Sequence, residues 1–315
     1  MSVFNHQLKN SIHTLVIFLC MGVILSLVGF IIAGVEGILW SVFLCLLILV
    51  ISPKLSPSFI FSLYKGELLT EENAPGLIHL TQELAARANL SALPAVYYLP
   101  SRIMNAFSVG SSTHSAIGLS DALLNTLSTR EIIAVLAHEI SHIQHNDVRL
   151  MTYADNISRV INIMSLTGFL LIFISLPLFA LGMVRFSLLA VAILILAPNI
   201  MNYLQLSLSR MREFDADHQA ALLTGDPDGL ASALRKLEFH ESSLFDLIFG
   251  RQHNASIPSI LRTHPDTEER IERLNQLKVP SHTDFNYSRP DTFAIPGHFQ
   301  KMIRKPRWHV GGFWY

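Results

Sequence analysis

The amino-acid sequence predicts a mainly α-helical membrane protein with a small β-sheet, built around two transmembrane hairpins. Three observations lead there. Half of the 315 residues are apolar and only 15% are charged, where an average soluble domain carries about 25% charged residues. The missing charge is concentrated in four long uncharged runs that come in two pairs. The polar segments after each pair show helical periodicity and a few short β-like stretches.

The runs are taken first. Residues 14–35 hold no charged side chain, and at ~1.5 Å rise per residue they span about 33 Å, enough for a ~30 Å hydrocarbon core. Glu36 and Gly37 interrupt, and a second run continues to Pro53. A third covers 160–184, Arg185 breaks it, and a fourth covers 186–209. Pro177 and Pro198 fall inside the last two and could let that pair dip into the bilayer without crossing, but membrane helices tolerate proline, so spanning is expected. A cleaved signal peptide is the rival for the first run. The run is long for an h-region, a second follows at once, and no small-residue cleavage site intervenes, so a retained span is expected.

Lys9, Lys54, Lys65, Arg149, Arg159, Arg210 and Arg212 flank one side of the four expected spans, and only Arg185 the other. The positive-inside bias therefore puts the polar segments in the cytoplasm. The formal net charge of −1 makes no electrostatic case for a nucleic-acid partner. Cys20 and Cys45 lie in apolar runs and form no disulfide framework. The expected organisation is a first hairpin at 1–53, a polar segment at 54–157, a second hairpin at 158–208, a second polar segment at 209–278, and a Pro- and aromatic-rich tail at 279–315.

Within the first polar segment, Leu77, Leu80 and Leu84 form one helical stripe. AVYYLP (95–100), IMNAFSVG (103–110) and HSAIGLS (114–120) read as strands divided by Pro, Ser and Gly. Ser128 followed by Glu131 is a capping box that opens a helix, with Leu127 available as a staple. In the second segment, helices are expected through SRMREFDADHQAALL, GLASALRKLEF and HPDTEERIERLNQL.

The helix opened by Ser128 reads STREIIAVLAHEISHIQHND. His138 and His142 are four apart, so both imidazoles leave one face and can bind one metal ion. Glu139 is turned about 100° from the first of them, placed to take a proton from water at the metal without ligating it. A catalytic site of this kind needs a third protein ligand. Six residues beyond the second histidine stands Val148, so a three-histidine pattern fails. The helix carries Arg130, Glu131, Asp147 and Arg149, so it is not itself a span. A carboxylate on another helix remains. Glu213 has Asp217 on the same face, a ligand with a partner for an imidazole N–H. The competing reading is a helix N-terminus decorated with acids to suit its dipole. Asp215 is expected to point away into solvent. His142 and Glu213 can meet only if the chain between them crosses the membrane an even number of times, as two spans allow.

The motifs NAF (105–107), EIIAVLAHEISHIQHND (131–147), SRMREFDAD (209–217) and the HP within 263–273, with the order of elements, resemble the HtpX-like membrane metallopeptidases, relatives of the CAAX prenyl endopeptidases. The resemblance runs from about residue 10 to 275. It implies a zincin-type HExxH domain holding one zinc per chain on His138, His142 and Glu213, with Glu139 catalytic. It also implies a zinc metalloendopeptidase of the bacterial inner membrane that degrades damaged or misassembled membrane proteins.

Other residues carry weaker readings. Asn105 and Ala106 lie on an expected edge strand, where an extended peptide substrate could add and Asn105 could hold one of its amides; the alternative is a turn residue satisfied by its own backbone. His264 could steady an oxyanion or merely precede a proline at a helix start. His145 is expected near the metal or at the surface but not as a ligand, and Asp147 to anchor the turn closing its helix. The terminal RKPRWHVGGFWY would suit a headgroup region or a tail packed on its own domain. The lipid bilayer and protein substrates are the expected partners. A selective processing protease of the CAAX type, and a non-catalytic scaffold that keeps a structural zinc, are the rival functions.

Overall fold

The structure, a computed structural model, describes residues 3–51, 56–185, 187–249 and 267–277. The tail 279–315 and His264 lie outside the described residues. The chain divides into two compact units, one of residues 1–53 and 149–211, the other of 54–148 and 212–315.

The first unit is all helix. Helix α1 (Val3–Ile51) is broken by non-helical backbone at Ala33 and Gly34, the latter at φ 62. There the chain doubles back. A Cβ on Gly29 or Gly37 would run into the other's carbonyl group, although eight residues of straight helix would hold them ~12 Å apart. The reversal expected at Glu36–Gly37 thus sits at Ala33–Gly34. Gly34 supplies the positive φ that side chains resist, and Gly37 supplies close approach.

Helices α6 (Asp147–Ala180) and α7 (Leu188–Thr224) run through Pro177 and Pro198 without a break. Among the described residues, three helices are long and apolar enough to cross a membrane: Asn10–Leu47, Asp147–Ala180 and Leu188–Thr224. Met21, Leu25 and Val28 of α1 pack with Ala154, Ile161, Leu194 and Met201. Ser158 donates to Gln205 across α6 and α7 at 3.0 Å, while Leu166, Phe173 and Leu188 face outward. The separate helix expected from Ser209 is instead the continuation of α7. No Gly or Pro stands between Asn199 and Thr224 to stop it.

The second unit is a small mixed sheet covered by helices. Its strand order is β1-β2-β4-β3. β1 (Glu67–Leu69), which the sequence reading lacked, pairs antiparallel with β2 (Ala95–Leu99). β2 runs parallel to β4 (His114–Ser120), and β3 (Ala106–Ser111) lies antiparallel to β4 at the edge. Asn105 sits just before that strand.

Side chains alternate across the sheet. Val96, Tyr98, Ile117 and Leu119 join Leu77 and Leu84 of α3 (Pro75–Arg87) and Ile132, Ile133, Leu136 and Ile140 of α5 (Thr129–Gln144) in the main core. The opposite face receives Phe61 of α2 (Pro57–Leu63), whose ring stacks on Tyr97 at 4.5 Å and Phe107 at 5.2 Å. Gly118 leaves the room, since a Cβ there would strike the Phe61 ring. Short helix α4 (Asp121–Thr126) leads to α5, and α8 (Pro227–Phe249) and α9 (Thr267–Asn275) complete the unit.

Candidate metal centre

Helix α5 is fixed at its start. The Ser128 hydroxyl accepts from the Glu131 backbone N–H, and the Glu131 carboxylate accepts from the Ser128 backbone N–H at 2.7 Å, completing the capping box. Glu131 also receives Ser232 at 2.6 Å and Lys236 at 2.7 Å from α8. Burial opposes its charge, but these donors hold its carboxyl down to about 2. The helix carrying the histidine pair is thereby tied to its neighbour at one end.

Two turns on, His138 and His142 present Nε2 atoms 3.1 Å apart, and Glu213 Oε2 lies 3.4 Å from His138 Nε2. One donor atom from each of the three lies within 4.8 Å of the others. Glu213 stands deep inside α7, so the reading of an acid-decorated helix N-terminus falls away.

The partners of the histidines decide what the cluster can hold. His142 Nδ1 meets Asp147 Oδ2 at 2.9 Å, and His138 Nδ1 lies 3.0 Å from Asp217 Oδ1. The first is a well-formed hydrogen bond. The second is close, but its N–H is not aimed along the line to the oxygen, so we count it as an electrostatic contact. An ionised carboxylate only accepts, so each Nδ1 carries a proton, and Nε2 is the nitrogen each ring turns inward for a metal. Two imidazole nitrogens and a carboxylate oxygen converging on one point repel one another unless a positive charge, a proton or a metal ion, lies between them. That donor set and its carboxylate backing fit a divalent metal such as zinc.

The charges agree. Four buried carboxylates, Glu139, Asp147, Glu213 and Asp217, face two guanidiniums, Arg212 and Arg270. Burial alone would strip His138 of charge, yet Asp217 and Glu213 overcome it and push its pKa up to about 10, so with no metal bound a second proton sits on the ring where a metal would otherwise take the lone pair. Burial likewise opposes ionisation of Asp217, and Arg270 with His138 holds its carboxyl below the usual range. This is a pocket built around positive charge.

Arg270 of α9 escaped the sequence reading. It is buried, forks onto both Asp217 oxygens at 2.7 Å, and reaches Glu213 Oε2 at 3.2 Å. Arg273 covers the Phe214 ring at 3.7 Å, a second fastening of α9 to α7. The available signal was an arginine standing four residues before Leu274 on the buried stripe of a short helix. Asp147 does more than anchor a turn, since it backs His142 and contacts Arg212 at 3.4 Å. Asp215 is not simply solvated but pairs with Arg212 at 3.0 Å.

His145 stays off the cluster; its Nδ1 is 2.9 Å from the Ser141 carbonyl at the helix end. Glu139 is buried beside His138 with no hydrogen bond among the described residues, leaving its carboxylate lone pairs available.

The model of peptidase family M48 matches residues 71–278, about two-thirds of the chain. The chain belongs to peptidase family M48. Among its curated relatives are the protease HtpX homologues of Ralstonia pickettii, 31% identical over 281 residues (85% of this chain and 96% of the relative), and of Burkholderia ambifaria, 30% identical over 263 residues (79% and 90%). The crystal structure of S. mikatae Ste24p is also similar, with 22% identity, a TM-score of 0.48 and coverage of 87% of this chain and 67% of that one. This M48 peptidase is a multi-pass membrane metalloprotease.

Proposed function

We propose that the chain is a zinc endopeptidase that cuts misfolded or damaged membrane proteins, with its catalytic unit on the cytoplasmic side of a bacterial inner membrane. His138, His142 and Glu213 would hold the ion, and Glu139 would serve as general base. The observation that carries this is the convergence of three metal-donor groups, with a carboxylate behind each histidine, beside the buried Glu139 carboxylate, which makes no hydrogen bond among the described residues. The doubling-back of α1, together with α6 and α7, supports a reading of four crossings, and the Lys/Arg asymmetry supports the orientation.

Bound zinc supplies Lewis acidity, polarising a scissile carbonyl and acidifying water. The chain's own residues do the rest. Glu139 takes a proton from the attacking water and returns it to the leaving amine. Asp147 and Asp217 keep each histidine's proton on Nδ1, and Arg270 keeps Glu213 and Asp217 ionised and oriented.

Among the described residues, strand β3 has one edge free of sheet partners. An extended substrate could pair there through main-chain bonds. The Asn105 backbone is tied to Ser120 in both directions, while its exposed side-chain amide bonds to no described residue. That supports a role in gripping a substrate amide.

The test is Glu139→Gln. The variant should insert, keep one zinc per chain, and lose at least ~100-fold in cleavage of an unfolded protein such as casein, the scale general-base catalysis supplies. Membrane proteins that accumulate in cells carrying the variant would be the substrates. Undiminished cleavage at full zinc content would remove Glu139 from the chemistry.

A further inference from the structure

We propose that α2 is an interfacial helix, docked on the catalytic unit by one face and immersed in the lipid headgroup region by the other. Phe61 is fully buried against the sheet. Phe59 and Leu63, one turn apart and about 200° round the helix from Phe61, are 51% and 60% exposed. Tyr64 follows, also exposed, with its ring tilted on Phe107 at 5.4 Å. The helix therefore buries one aromatic against protein, half-buries Ile60, and turns Phe59 and Leu63 outward. For a seven-residue helix in water that face has no counterpart.

Two facts name lipid as the occupant. First, five residues separate the end of helix α1 at Ile51, one turn past the apolar stretch that ends at Leu47, from Pro57. Six extended steps reach at most about 20 Å, so α2 cannot leave the neighbourhood of the bilayer surface. Second, from Ile51 to Gly66 the sequence holds Lys54 and Lys65 and no acidic residue. Aromatic and leucine side chains on one face with lysines at the flanks is the composition that settles at the boundary of headgroups and acyl chains, and anionic lipid attracts it. The inference concerns lipid contact alone and stands or falls separately from a peptide on β3. If both hold, the Phe61–Phe107 stack joins the membrane-immersed helix directly to the substrate-pairing strand.

The experiment uses the full chain with Cys20→Ser and Cys45→Ser, reconstituted in nanodiscs containing phosphatidylglycerol. Single spin labels at Phe59→Cys and Leu63→Cys are compared with Leu93→Cys. Leu93 is an apolar residue of the same unit that is 60% exposed but lies far along the chain from the span. Labels at 59 and 63 should collide several-fold more with oxygen, which concentrates among acyl chains, than with a polar nickel chelate; the label at 93 should show the reverse. Equal nickel access at all three sites would overturn the proposal. So would labels at 59 and 63 shielded from both reagents, which would mean that protein, a second copy or this chain's own tail, covers the helix.

A second measurement avoids the cysteine background. Phe59→Trp, in a chain with Trp40, Trp308 and Trp314 replaced by Phe, should be quenched by lipids brominated near the headgroup. Absence of quenching in folded, zinc-loaded protein would overturn the proposal as well.

Discussion

Removing the carboxylate behind His142 should weaken metal binding by an amount that can be worked out beforehand. The Asp147–His142 contact is a charge-assisted hydrogen bond of 2.9 Å. In Asp147→Asn the amide oxygen can still accept from Nδ1, so the tautomer survives and only the charge is lost. Charge-assisted bonds contribute about 1.5–3 kcal/mol and neutral ones about 1. The difference, on the order of 1–1.5 kcal/mol, corresponds to about tenfold in affinity. Asp147→Ala also removes the acceptor and frees the ring to turn, so about 100-fold is expected, the upper end for such partners. The fold should tolerate either change, because Arg212 keeps Asp215 at 3.0 Å. The assay is competition against a zinc chelator of known affinity, with thermal unfolding as the control. Unchanged affinity in the alanine variant, or a larger loss in asparagine than in alanine, would refute the account of the tautomers.

Other outcomes follow from the same contacts. Asp217→Ala should act on the fold as well as the metal. It leaves the buried Arg270 without both of its 2.7 Å bonds, and breaking a buried pair costs about 3–5 kcal/mol, measurable as lost unfolding free energy. Glu213→Ala should lose most of its zinc by metal analysis while still inserting; full retention would pass the third ligand to another residue, His145 first. Glu131 has a depressed pKa, so its contribution is complete above the unfolded carboxyl value near 4.5 and disappears as pH falls toward about 2. Glu131→Gln should therefore destabilise the protein at neutral pH by roughly 2–3 kcal/mol, allowing for the partly exposed Lys236, and the gap from wild type should close in acid. For sidedness, cysteines at Ser112 and Arg235 should resist an impermeant thiol reagent in intact cells, while one at Glu36 labels. Glu36 is chosen over Gly37 because Gly37 is packed against Gly29. Labelling of Ser112 in intact cells would invert the topology.

Much of the site was legible because helices repeat. The i, i+4 spacing paired His138 with His142 and Glu213 with Asp217, and the capping box marked where α5 begins. What was missed lies where that arithmetic stops. Asp147 stands five residues past His142, across a helix break where Asn146 takes φ 56, so no helical wheel puts them together. Arg270 arrives from a helix 53 residues beyond Asp217, and only the packing of α9 reveals it. The change from apolar to polar side chains at Ser209 suggested a new helix, but a change of solvent does not break backbone hydrogen bonds, and α7 continues. Gly37 was visible as an interruption, yet its use is close packing, and the reversal belongs to Gly34.

The continuity of α7 bears on how such an enzyme can be handled. Many membrane-anchored hydrolases are shed by a cut in a linker or made soluble by deleting the anchor. Here, among the described residues, neither α6 nor α7 is separated from the metal cluster's residues by such a linker. The apolar turns of α7 and the turn bearing Glu213 belong to one uninterrupted helix, and Asp147 is the first residue of α6. Trimming either helix back to the polar residues would remove the scaffold of a ligand or of its carboxylate partner. A water-soluble version would need the α6–α7 hairpin replaced by another helical pair of matched phase, so that the anchor survives as framework after it ceases to be an anchor.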